Sequence, residues 1–177
     1  MKKIIGLFLL FLVSCTSMPG SISVEKVSYD NSVQIRMSPG FASTSLGSLK
    51  IGFWKNTNMP KEQLIMIVRN DSIKKFSLNN PNFFMKIDGV EKSFSSLDKH
   101  THCVVAGPND PDISHCFQEY NISLDLLKNI QSSKDIKLKL NLMGNEFIEN
   151  DMNSSYSTSV RSGVENLIKE LEKQQIN

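Results

Sequence analysis

FFMKIDGVEKSF, residues 83–94, is the clearest structural signal in this chain. Asp88-Gly89 stands between two runs of alternating residues, and this dipeptide favours a type I′ turn between antiparallel strands. A turn there pairs Ile87 with Val90, Met85 with Lys92, and Phe83 with Phe94. The same register places Lys86 opposite Glu91 on the polar face, which is a favourable cross-strand pair. The sequence therefore predicts a hairpin with one buried face.

The two-residue period recurs on both sides of this hairpin. Apolar and polar residues alternate at 33–37, 49–53 and 136–142, which is typical of strands with one face in solvent. Residues 64–68 are apolar throughout, which indicates a strand buried on both faces. These segments predict further strands of an antiparallel sheet.

Two segments have a helical period instead. Ser123 is a suitable N-cap for a short helix with an apolar side formed by Leu126, Leu127 and Ile130. Near the C-terminus, residues 162–165 (SGVE) match a capping box. An apolar stripe at helical spacing follows, formed by Val164, Leu167, Ile168 and Leu171. We expect this second helix to be capped by Ser162 and to cover an open face of the sheet.

Together these elements predict a mainly β, α+β fold. We expect an antiparallel β-sandwich-like sheet of about seven or eight strands, with a short internal helix and a C-terminal helix. Residues 22–177 are expected to form a single β-rich globular domain.

The chain opens with a leader that has the proportions of a secretory signal. Lys2 and Lys3 precede the apolar run 4–13, which is shorter than the roughly twenty residues that a spanning helix needs. Leu12-Val13-Ser14-Cys15 resembles the lipobox of bacterial lipoproteins. The resemblance implies that residues 1–14 are a cleaved signal peptide and that Cys15 carries acyl chains such as palmitate.

The resemblance also implies a location. Residues 15–21 are then a lipidated tether, and several acyl chains together anchor a protein firmly to a membrane. Thr16 replaces the aspartate that is associated with retention in the inner membrane. The resemblance therefore implies a protein of the cell envelope, anchored to the outer membrane of a Gram-negative bacterium. An uncleaved signal or plain secretion is the alternative.

The charge balance argues against a nucleic-acid partner. Without Lys2 and Lys3 of the leader, the 20 basic residues fall to 18, which equals the 18 acidic residues. A nucleic-acid binder needs a face rich in lysine and arginine, and the sequence indicates none.

The stretch HTHCVVAGPNDPDISHC, residues 100–116, contains all three histidines and two of the three cysteines. Cysteines in an oxidising envelope compartment tend to pair. Because the resemblance assigns Cys15 to lipid, Cys103 and Cys116 are left to form a disulfide with each other.

The histidines of this stretch raise the alternative of a metal site. If Cys103 lies opposite Cys116, His102 and His115 share the other face, roughly 7 Å apart at their Cα atoms. His100 lies on that face as well, and three imidazoles could bind zinc or copper. However, the spacing matches no established zinc pattern, and exposed histidines are usually solvated.

The sequence contains no motif of a known catalytic site. A nucleophile elbow, a phosphate-binding loop and a dinucleotide-binding loop are all absent from it. We therefore expect a non-enzymatic binding or assembly module that faces the periplasm, uses no cofactor and binds an envelope protein, with no small-molecule substrate indicated. An envelope hydrolase built on scattered acids is a further hypothesis. Trp54 marks a binding surface if it is exposed, and core packing is the alternative.

Overall fold

The structure is a computed structural model of the chain. It describes residues 18–42, 49–71, 75–105, 114–152 and 158–174. The predicted signal peptide, residues 1–14, and the predicted lipidation site, Cys15, lie outside the described residues.

The described residues form ten strands and two helices. In chain order they are β1 (Ile22–Lys26), β2 (Val33–Phe41), β3 (Leu49–Asn56), β4 (Gln63–Asn70), β5 (Phe83–Ile87), β6 (Val90–Phe94), β7 (His102–Val105), β8 (Ser114–Ser123), α1 (Leu124–Ser132), β9 (Ile136–Asn141), β10 (Phe147–Asp151) and α2 (Thr158–Lys173). The predicted class, antiparallel and sandwich-like with two helices, is confirmed. There are more strands than the about seven or eight expected, because edge strands such as β7 are too short to show a period.

The strands form two antiparallel sheets that share one hydrophobic core. The larger sheet has the order β1-β2-β3-β4-β8-β7, and the smaller sheet has the order β10-β9-β5-β6. The predicted hairpin is the β5–β6 pair, and its predicted register is confirmed. The core lies between the inner faces of the sheets, which contribute residues such as Phe53, Met66, Tyr120, Phe83, Met85, Leu138 and Leu140.

A buried polar cluster connects the two sheets. The hydroxyl group of Tyr120 on β8 donates to the side-chain oxygens of Asn82 at 2.9 Å and Gln118 at 3.2 Å. The side-chain amide of Asn82 donates in turn to Gln118 at 2.6 Å. Asn82 directly precedes β5, and the ring of Tyr120 also contacts that of Phe83, with centroids 5.6 Å apart. These contacts fix the position of β5 against the larger sheet.

The two helices cover the core from one side. Ser123 caps α1 as predicted, because its side chain accepts a hydrogen bond from the Leu126 amide. The prediction that Ser162 caps the last helix is wrong, because α2 begins at Thr158. Because α2 begins before Ser162, Val160 is part of the helix, and its side chain is buried. The carboxylate of Glu165, expected in a capping box, is instead 2.6 Å from the ammonium group of Lys169.

The segment before β1, residues 18–21, lies against β2 and α2. The Gly20 amide donates to the Ser38 carbonyl at 3.1 Å, and the Ser38 amide donates to the Ser21 carbonyl at 2.9 Å. Gly20 has a positive φ of 77°, and a Cβ atom there would clash with the Ser159 carbonyl oxygen. The last part of the predicted tether therefore packs onto the domain.

Lys55, at the end of β3, is a buried cation. Its ammonium group donates to the carbonyl groups of Pro60, Lys61 and Gln63 at 2.8 to 2.9 Å. Burial lowers the pKa of this side chain, and the nearby Glu62 partly offsets that effect. The three hydrogen bonds hold the connection between β3 and β4 in place.

Candidate binding groove

Alternation along β5 and β9 places three lysines on the outer face of the smaller sheet. Every second residue of these strands points into the core, so Lys86, Lys137 and Lys139 point outward. The three lysines line a cavity of about 550 Å³, a volume that suits a small-ligand site. We call this surface the lysine groove, and its other lining residues are Phe84, Glu91, Leu138, Asn141, Glu149, Asn150 and Asp151.

The positive and negative side chains of the lysine groove lie on different strands. The lysines stand on the two central strands, and the acids stand on the edge strands, with Glu91 on β6 and Glu149 and Asp151 on β10. One row across the sheet runs from Asp151 through Lys137 and Lys86 to Glu91, each residue being the Cα partner of the next. Strands lie about 4.8 Å apart, so this row spans about 14 Å. The groove has a positive centre between two negative rims.

Lys86 and Lys137 lie directly opposite each other on β5 and β9. Like charges in this arrangement oppose strand pairing. Within the part of the chain that the structure describes, neither ammonium group lies within ion-pairing distance of a carboxylate. Both side chains are exposed. Their two charges are therefore available to an anion in the groove.

Lys139 is held more tightly than the other two lysines. Its ammonium group lies 3.7 Å from the Glu149 carboxylate and 4.6 Å from the centre of the Phe147 ring. A cation over an aromatic face is attracted by the ring electrons. Lys139 also lies opposite Phe84, whose half-buried side chain faces the groove. Aromatic and cationic groups therefore alternate at this end.

A second cavity, of about 240 Å³, continues the groove. It shares Lys139 and Asn141 with the first, and we call it the asparagine end. Its other lining residues are Ser77, Asn79, Leu142, Asn145, Glu146 and Phe147. The side-chain amides of Asn79, Asn141 and Asn145 make no hydrogen bond to any other described residue. An amide has both donors and acceptors to offer a ligand.

The cysteines and histidines singled out in the sequence lie on the larger sheet, at β7 and β8. Cys103 and Cys116 form a disulfide, as predicted, and they are Cα partners. His102 lies opposite Phe117, and its ring stacks on the phenyl ring at 5.3 Å between centroids. His115 lies opposite Val104, so the predicted register is confirmed.

The structure gives His102 and His115 separate acidic partners. The His102 ring is 2.9 Å from the Asp98 carboxylate, and the His115 ring is 2.9 Å from that of Asp71. His100 lies in the loop before β7. Among the described residues, no three His, Cys, Asp or Glu side chains are grouped in a way that could hold a metal ion. Metal binding by the three histidines stays a prediction.

Asp71 is the centre of a second charged surface. Its carboxylate forms ion pairs with Lys50 and Arg69 and accepts the His115 contact. We call these four residues the Asp71 cluster. Here the two cations, Lys50 and Arg69, both have a carboxylate partner, unlike the two facing lysines of the groove.

Trp54, proposed as a marker of a binding surface, is half buried on the outer face of the larger sheet. Its indole N–H donates to the Glu119 carboxylate at 3.2 Å. The side chain is therefore neither a core residue nor a fully exposed one, and the groove lies on the other sheet.

Sequence reasoning missed the lysine groove. It identified Lys86 and Glu91 as a cross-strand pair and assigned Lys137 and Lys139 to the polar face of a strand, but it did not join the two strands. Lysines on the polar faces of two amphipathic strands were the available signal. The groove offers cationic, amide and aromatic contacts, which suit binding of a negatively charged ligand.

No helix within the described ranges is both long and apolar enough to cross a membrane. The chain matches no protein-family model, no curated protein and no solved structure.

Proposed function

We propose that this protein is a non-enzymatic, lipid-anchored module of a bacterial envelope that binds an anionic partner in the lysine groove. The single observation that carries the binding role is the pair Lys86 and Lys137. These two exposed lysines are directly opposed on neighbouring strands and line the same cavity, and no described carboxylate pairs with either. An anion between them would relieve their mutual repulsion and gain two charge-assisted hydrogen bonds.

The proposed anchor is the lipobox cysteine, Cys15, at the outer membrane of a Gram-negative cell. Only Thr16 and Ser17 separate it from the segment 18–21 that packs on β2 and α2. Three residues of extended chain reach about 10 Å. An anchor at Cys15 would thus keep the domain close to the membrane, where its partner would be another component of the envelope.

Inorganic phosphate is the first probe for the groove. We expect weak, saturable binding by the purified protein, measured by calorimetry or NMR, because two lysines without a described carboxylate partner line one site. Lys86→Gln and Lys137→Gln should each weaken it at least about fivefold, a loss of about 1 kcal/mol. Lys128→Gln, an exposed lysine of α1, is the matched control and should have no effect. Equal binding by all three variants would contradict the proposal.

The anchor has an independent test. Expressed in a Gram-negative host, the chain should incorporate labelled palmitate and sediment with the membrane fraction. Cys15→Ser should abolish labelling, and Cys103→Ser should not. If the wild-type protein incorporated no palmitate, lipidation would be contradicted, and the binding proposal would be unaffected.

A further inference from the structure

We infer that the ligand of the lysine groove is an acidic saccharide, a hydroxyl-rich sugar that carries one carboxylate or phosphate group. This inference rests on the proposed function and specifies the ligand class. In this arrangement the anionic group lies between Lys86 and Lys137, and an uncharged sugar portion extends past Lys139 into the asparagine end.

The asparagine end has the hydrogen-bonding groups that a sugar requires. A sugar hydroxyl both donates and accepts, and the amides of Asn79, Asn141 and Asn145 offer both kinds of group. Because these amides make no hydrogen bond within the described residues, a ligand can use them without breaking a native contact. A simple anion such as inorganic phosphate, bound between Lys86 and Lys137, would not reach the amide groups of this cavity.

Phe147 gives the asparagine end an exposed aromatic surface. More than half of its side chain is exposed, at 55%, although it stands on a strand and lies opposite Asn141. The C–H face of a pyranose ring packs against such a ring, while the neighbouring amide hydrogen-bonds its hydroxyl groups. An exposed phenyl ring beside unpaired amides therefore favours a sugar over an inorganic anion.

The acidic rims restrict the charge of the ligand. Carboxylates accept hydrogen bonds from hydroxyl groups, so Glu91 and Glu149 can bind the polyol. The same groups repel a second negative charge near either edge of the groove. A ligand with one anionic group is accepted, whereas a polyanion lying across the strands is disfavoured.

The test compares four ligands by calorimetry with the purified protein: cellobiouronic acid, which carries a single carboxylate, glucose 6-phosphate, maltose and inorganic phosphate. We expect whichever acidic sugar is preferred to bind at least about tenfold more tightly than maltose or phosphate. The first two ligands distinguish a carboxylate from a phosphate as the anionic group. Phe147→Ala and Asn79→Ala, at two positions that line only the asparagine end, should each weaken binding of the preferred sugar at least about threefold and leave phosphate binding unchanged.

Tyr29→Ala and Asn129→Ala are the matched controls, since each truncates an exposed side chain outside the groove. Phosphate binding that depends on Lys86, with no gain for either acidic sugar, would overturn the saccharide inference and leave the anion-binding proposal standing. Absence of binding by all four ligands would overturn both. A sugar that binds normally to Phe147→Ala would also overturn the inference.

Discussion

The hydroxyl group of Tyr120 lies 2.9 Å from the side-chain oxygen of Asn82, and this hydrogen bond joins the two sheets in the core. Asn82 precedes β5, the strand that carries Lys86. Tyr120 is fully buried, so water cannot replace the bond. The position of the groove relative to the rest of the fold therefore depends on this contact.

Removing the hydroxyl group should destabilise the fold without opening a large cavity. Tyr120→Phe leaves the buried side-chain oxygen of Asn82 without its donor, whereas that of Gln118 still accepts from the Asn82 amide. We therefore expect the free energy of unfolding to fall by about 1 to 3 kcal/mol. Urea unfolding followed by fluorescence measures the change. A loss no greater than that of Tyr29→Phe, an exposed control, would show that the cluster contributes nothing to stability.

The same residue predicts a dependence on alkaline pH. Burial raises the pKa of the Tyr120 hydroxyl group above its usual value of 10.0. Below that value the phenol is protonated in both the folded and the unfolded chain. Above it only the unfolded chain releases this proton, so the free energy of unfolding falls by about 1.4 kcal/mol per pH unit from this group.

Measuring the free energy of unfolding at several pH values between about 9 and about 11 tests this slope. As the pH rises, the free energy of unfolding of Tyr120→Phe should fall less steeply than that of the wild type. The difference in slope should be about 1.4 kcal/mol per pH unit, because the variant lacks this one proton. Tyr29→Phe should follow the wild-type curve. Parallel curves for wild type and Tyr120→Phe would contradict the role of burial.

Gly20 tests whether the segment before β1 is fixed to the domain. Gly20→Ala would strain a positive φ and push a methyl group against the Ser159 carbonyl oxygen. Gly89 has a similar φ of 88°, but an added Cβ atom there would have no atom within 4 Å. Gly89→Ala therefore measures the cost of the backbone strain without a steric clash. We expect Gly89→Ala to cost about 1 to 2 kcal/mol in thermal or urea unfolding and Gly20→Ala to cost clearly more. Equal losses would mean that residues 18–21 are free in solution.

The disulfide should stabilise the fold by restricting the unfolded chain. Opening a loop of this size removes about 3 kcal/mol of stability in the chain-entropy model. We expect Cys103→Ser with Cys116→Ser to lower the free energy of urea unfolding by about that amount. A reducing agent should destabilise the wild type and leave the double variant unchanged. A wild type indifferent to reduction would contradict the prediction.

Local patterns predicted much of the fold. The Asp88-Gly89 turn determines the β5–β6 register, and the register of β7 and β8 follows once Cys103 pairs with Cys116. The start of α2 was missed because burial of Val160 outweighed a capping motif. Lys55 was not predictable as a buried residue, since its three carbonyl partners depend on the conformation of the following loop.

The groove itself depends on a pairing that no local pattern contains. β5 and β9 are adjacent in the sheet but separated in the chain by β6, β7, β8 and α1. The sequence indicates which face of each strand is polar, and only the pairing shows that Lys86 meets Lys137. Sites of this kind can be recognised only once the three-dimensional arrangement of the strands is known.

A residue-by-residue NMR map of the phosphate site tests directly whether Lys86 and Lys137 bind an anion. Phosphate bound between the facing lysines should cause its largest amide shifts at residues 84–86 of β5 and 137–139 of β9. The Asp71 cluster is the natural control surface, because its cations are already paired. Shifts centred on Lys50, Arg69 and His115, with β5 and β9 unchanged, would contradict anion binding in the lysine groove.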